Sequence, residues 1–158
     1  MRILLCLLIL LVSINAQQAE PILVDEFGVT NCDDYRGRLD ILLIELEKAP
    51  GAKGVVFVYS GDLELDVYEK NSKKVGVRYV RSMVELDRAL INYYRNHVLF
   101  RHFSPDRLEF VRAGYRRKFT NTFWLVPKGS AAPIPTPTLK SIKQKRKSKD
   151  LESFCDNP

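Results

Sequence analysis

The stretch Gly54-Val55-Val56-Phe57-Val58-Tyr59 carries no charge, and its side chains are β-branched or aromatic after the opening glycine. A short run of this kind predicts a strand buried on both faces in the centre of a sheet. The flanking pattern supplies its neighbours. Ile22-Leu23-Val24 predicts a short strand that ends at Asp25-Glu26-Phe27-Gly28. A helix follows: Thr30 or Asn31 is placed to cap it, Asp33 and Asp34 favour its positive end, and Tyr35, Leu39, Leu42, Leu43 and Leu46 share one face. Pro50-Gly51 stops it. Ser60 to Tyr79 is polar and charged, broken by Gly61, Asn71-Ser72 and Gly76, and reads as a long connection. Ser82 and Glu85 form a capping box for a second helix, in which Met83, Leu86, Leu90, Tyr93 or Tyr94, and His97 recur at helical spacing. Phe103-Ser104-Pro105-Asp106 breaks that helix. Arg107 to Ala113 alternates as a half-buried strand, Gly114 to Lys118 turns, and Thr122 to Val126 supplies the last strand of a final hairpin.

The predicted fold class is therefore α+β, a two-layer sandwich in β-α-β-α-β-β order, with two helices packed on one face of a mixed sheet. Roughly 105 residues remain once the two chain ends are set aside, enough for one core. Ala131 to Thr138 holds three prolines and predicts an extended, semi-rigid spacer. Beyond it, Lys140, Lys143, Lys145, Arg146, Lys147 and Lys149 form a basic run. The net charge is +6, yet from residue 3 to Thr138 there are 18 basic residues against 16 acidic ones, so the basicity belongs mostly to the tail.

Met1-Arg2, the uncharged apolar run Ile3 to Val12, then Ser13-Ile14-Asn15-Ala16 before Gln17-Gln18 have the parts of a secretory signal peptide cleaved after Ala16. The run is shorter than the roughly 20 residues of a membrane span. The expected organisation is a signal peptide over 1–16, an α+β domain over 17–127, a Pro-rich linker over 128–138 and a basic, disordered tail over 139–158. Export to a periplasm or beyond the cell allows Cys32 and Cys155 to pair, and closing so long a loop contributes about 4 to 5 kcal/mol. Two free thiols are the open alternative, since spacing does not bring Cβ atoms within bonding reach.

No catalytic constellation emerges from the sequence. His97 and His102 are the only histidines and lack the spacing of a zinc helix, so no metal and no cofactor is expected. Ser60 lacks the Gly-x-Ser-x-Gly elbow and a placed base. Asp25-Glu26 on a strand point to opposite faces, and Asp33-Asp34 serve a helix start. Arg112, Arg116, Arg117 and Lys118, with Tyr115 and Phe119 among them, and Lys143, Lys145, Arg146 and Lys147 in the tail are candidates for contact with an anionic surface. Lipid headgroups or wall polymers suit those charges, and export argues against nucleic acid.

Leu86-Asp87-Arg88-Ala89-Leu90-Ile91-Asn92-Tyr93-Tyr94, then Phe103-Ser104-Pro105-Asp106-Arg107-Leu108, then Arg112-Ala113-Gly114-Tyr115, resemble the second half of an OmpA-like domain. There a helix with an Arg-Ala pair leads to a Pro-x-Arg-hydrophobic strand start, and the strand ends near a Gly-Tyr. Asp25 to Gly28, Cys32 and Leu39-Asp40 are similar to a pattern at the start of uncharacterised exported bacterial proteins. The OmpA-like resemblance implies capture of the diaminopimelate of peptidoglycan, with Asp62 for the ammonium and Arg88 for the carboxylate. The expected function is a non-catalytic exported binding module of the bacterial cell envelope, contacting peptidoglycan or an envelope protein. The alternatives are a structural protein-interaction domain whose basic tail associates with anionic surfaces, or a protein without a ligand.

Overall fold

A computed structural model describes residues 19–68, 74–81 and 85–144. The elements are β1 (Ile22–Phe27), α1 (Cys32–Lys48), β2 (Lys53–Tyr68), β3 (Lys74–Val80), α2 (Leu86–Phe100), one 3-10 turn (Pro105–Arg107), β4 (Leu108–Lys118) and β5 (Thr120–Val126). The signal region, Ser82 of the expected capping box, Met83 of the expected helical stripe, Lys145, Arg146, Lys147 and Cys155 lie outside the described residues.

The uncharged run forms the first half of β2 and takes a strand on each edge. β5 pairs with it antiparallel, from Lys53↔Val126 to Tyr59↔Thr120, and β4 pairs with it parallel from Gly54↔Leu108. β1 adds antiparallel to β5, and β3 adds antiparallel to the second half of β2, from Leu63↔Val80. The sheet expected to be mixed is instead predominantly antiparallel, with β2–β4 its one parallel ladder among the described residues, and it curls strongly into a half-barrel.

Two further expectations change. The segment from Ser60 to Tyr79 is not a connection, because β2 runs on to Tyr68 and β3 returns alongside it. Leu63-Glu64-Leu65-Asp66-Val67 alternates with the period of a strand, and its charged members conceal that period when polarity alone is read. The final pair is not a hairpin either: β4 and β5 flank β2 instead of pairing with each other. Only Phe119 separates them, so the chain crosses over β2, where the Phe119 N–H donates to the Asp62 carbonyl at 2.9 Å. Gly61 lies directly under the crossing. A Cβ there would stand 2.2 Å from the Lys118 carbonyl carbon. Residues 114 to 118, expected as a turn, continue β4 past a register shift at Gly114, whose φ is +92°.

Both helices cover one face. Tyr35, Leu39, Leu42, Leu43 and Leu46 of α1 pack with Leu86, Leu90, Ile91, Tyr94 and Val98 of α2 against Val56, Val58 and Phe123. Phe27, Tyr35, Tyr94 and Phe123 meet in tilted and edge-to-face contacts with ring centroids 5.1 to 6.0 Å apart. Desolvation pushes the Tyr35 hydroxyl up to about 12, and that of Tyr94 well above its ordinary value. Asn31 caps α1 by accepting from the Asp34 N–H at 2.8 Å. α2 starts without such a bond: Glu85 occupies its N-cap at φ 65° and makes no side-chain cap. The Pro-x-Arg start of β4 has a clear task. Arg107 reaches back to the carbonyls of Leu46, Ala49 and Ala52 at and just beyond the end of α1, where Leu46 and Ala49 also accept the N–H groups of Ala49 and Ala52.

The other face of β2 has its own cluster, Val55, Phe57 and Tyr59 with Ala113 and Val126, joined by Val111 and Trp124. No helix contributes to it. The Pro-rich segment lies there instead of leading away as a spacer. The Tyr59 hydroxyl accepts from the Thr136 N–H at 3.1 Å, and Pro137 approaches the side-chain-free surface of Gly114. The Tyr115 carbonyl accepts from the N–H groups of Thr138 and Leu139. Near the start of this arm, the Ser130 hydroxyl donates to the Ala19 carbonyl.

Gly61→Ala removes the room for the crossing, and backbone is what must move. The expected result is a loss of about 1 to 3 kcal/mol or more in denaturant unfolding, whereas Gly76→Ala, with open space around it, shifts the midpoint little.

Candidate functional site

Asp62 and Arg88 stand on separate elements and are not brought together. Asp62 is half-buried on β2, in register with Lys118 of β4. Arg88 is exposed in the first turn of α2, where its guanidinium pairs with Glu85 at 2.7 Å. No hydrogen bond or ion pair joins the two among the described residues. The buried carboxylate nearby is Asp87. It accepts from the Arg88 N–H at 2.8 Å and from Arg112 Nε at 2.8 Å, tying the start of α2 to β4. That hydrogen bond also holds the Arg112 guanidinium above its ordinary value.

The expected anionic-surface residues divide into engaged and available groups. Arg116 lies 3.8 Å over the Tyr59 ring, pairs with Glu26 at 3.2 Å and donates to the Thr136 hydroxyl at 2.9 Å. It clamps the arm to the sheet. Lys118 pairs with Glu64, which raises its ammonium pKa, and sits over the Tyr79 ring. Arg117 and Lys143 are exposed and make no ion pair among the described residues.

Two cavities flank the C-terminal end of α2. The first, of about 390 Å³, lies between Asp40, Leu43, Ile44 and Glu47 of α1 and Phe100 to Phe103. One oxygen of Asp40 meets both His97 Nε2 at 2.8 Å and Arg101 Nε at 2.9 Å. A single carboxylate thus fastens the two helices together. His102 follows at φ 52°. Among the described residues no serine, threonine or cysteine lines this cavity. Ser60 is elsewhere, its buried hydroxyl without a partner among the described residues. Those residues also contain no group of three or more side chains able to hold a metal ion.

The second cavity is an apolar groove of about 370 Å³. Arg95, Val98 and Leu99 of α2 form one wall, Pro105 its floor, and Leu108, Glu109 and Phe110 of β4 the other wall. Arg95, Val98 and Leu99 share this side through their helical spacing of three and four. The guanidinium of Arg95 stands 5.9 Å over the Phe110 ring and has no carboxylate partner among the described residues. The β4 wall is also a sheet edge, because β4 pairs with β2 on one side only and meets just Leu139, at Tyr115, on the other. Leu99 is 61% exposed and Phe100 75%, with Ile44 across the first cavity at 48%. Sequence reasoning passed over this groove. Its signal was Leu99-Phe100, two large apolar residues continuing beyond the buried stripe that ends at Val98.

No family model, no curated protein and no solved structure matches the chain.

Arg116→Ala removes the clamp on the arm. The expected cost is about 1 to 2 kcal/mol in denaturant unfolding, with faster cleavage by a lysine-specific protease after Lys128; an unchanged midpoint and cleavage rate would contradict the clamp.

Proposed function

We propose that the chain is an exported, non-catalytic module of the bacterial cell envelope that works by contact with another protein. The leader-like start supports export, and the OmpA-like likeness of Leu86 to Tyr115 supports the envelope as its destination. The observation that carries the reading is the exposure of Leu99, Phe100 and Ile44 together beside two cavities at one end of the helical layer. Contiguous large apolar side chains on a surface mark a place where a partner excludes water. Association of Arg117 and Lys143 with an anionic surface is a supplementary, salt-screened contribution in this reading.

A photo-crosslinking residue placed at position 100 in the producing cell tests it. The expected result is a discrete protein adduct that disappears with Leu99→Ser and Ile44→Ser, while both variants unfold at the wild-type temperature. Recovery of wall polymer alone, lost with Asp62→Ala and Arg88→Ala, would replace protein contact by the peptidoglycan reading.

A further inference from the structure

We propose that the groove between α2 and β4 takes an extended polypeptide segment, which adds as a strand to the free edge of β4. The segment carries one large aliphatic or aromatic side chain toward α2 and one carboxylate within reach of Arg95. This inference rests on the protein-contact reading above and names the form and chemistry of the partner.

Three observations converge on this occupant. From Leu108 to Gly114 the outer edge of β4 has no ladder among the described residues, so alternate N–H and C=O groups lack a strand partner. The chain itself makes one antiparallel contact with β4, an isolated bridge between Leu139 and Tyr115 beyond the register shift at Gly114. Beyond Leu139 the described chain makes no further pair with β4, and no described residue pairs with the edge beside the groove.

The walls determine which side chains fit. A strand added to β4 directs every second side chain toward α2, where Val98, Leu99, Leu108 and Phe110 give the groove of about 370 Å³ its apolar lining, with Arg95, Pro105 and Glu109 completing it. That space holds one large apolar side chain. Arg95 stands at the same opening, 5.9 Å over the Phe110 ring, and although Glu109 lines the same groove the two form no ion pair among the described residues, so the guanidinium is available to a carboxylate of the segment. An acidic residue on the same face of the segment completes that charge. Main-chain pairing supplies affinity, and the slot with Arg95 supplies selectivity.

The test uses the full-length chain, isotope-labelled, titrated with capped octapeptides of alternating threonine and valine that carry one phenylalanine and one glutamate two positions apart. The expected result is saturable movement of the Leu108 to Ala113 amide signals. N-methylation of alternate peptide amides weakens binding at least tenfold, because it removes the ladder. Exchange of the glutamate for lysine costs about fivefold to tenfold, the scale of one exposed charge-assisted contact, and Arg95→Glu reverses that preference. Absence of movement in β4, or equal binding of the N-methylated peptide, overturns strand addition. If no peptide binds while adducts at position 100 persist, the strand model falls and the protein-contact reading stands. Peptide binding without adducts in cells gives the opposite outcome.

Discussion

Burial of one strand on both faces is the constraint from which the rest of this structure follows. Val56 and Val58 point toward the helices, while Val55, Phe57 and Tyr59 point away, and all five are almost fully removed from water. Each such side chain contributes about 1.5 to 3 kcal/mol when covered and forfeits it when wet. Two amphipathic helices cover one face. Among the described residues no helix covers the other, and the proline-rich arm docks on it at Tyr59.

That arrangement sets the roles of residues that appear unrelated along the chain. Gly61 lets β4 pass over β2 to β5, so that one strand has a partner on each edge. Gly114 leaves room for Pro137. Arg116 joins Glu26, Tyr59 and Thr136 and thereby links β1, β4, β2 and the arm through one guanidinium. A proline-rich segment suits such a cover because it needs no ladder of its own and loses little conformational entropy when it docks.

The legible parts of the fold were those fixed by local period. The buried strand at 54–59 and the Leu-rich stripe of α1 follow directly from spacing, as does a cap at Thr30 or Asn31, of which the helix uses Asn31. What escaped depended on partners distant in sequence. The alternation from Leu63 to Val67 is a strand only because β3 returns to pair with it. Gly114 to Lys118 read as a turn, with Phe119 just beyond it, until the fold reveals the crossing over Gly61. Arg116 and Lys118 look like surface cations, and only the fold places Tyr59, Glu26 and Glu64 beside them. The groove was illegible for the same reason, since its walls are separated by the turn after α2 and a change of element.

The covered second face also bears on binding. With the arm docked on Tyr59, Gly114 and Tyr115, the free edge of β4 and the apolar end of α2 are surfaces open to a partner among the described residues. The most direct measurement is amide hydrogen exchange at Thr136, Thr138 and Leu139 in the intact chain. Their donors are assigned to the Tyr59 hydroxyl and the Tyr115 carbonyl, so the account predicts slow exchange at all three. Exchange at the rate of an unstructured peptide would mean that the arm does not cover the sheet and that the central strand is buried by something else.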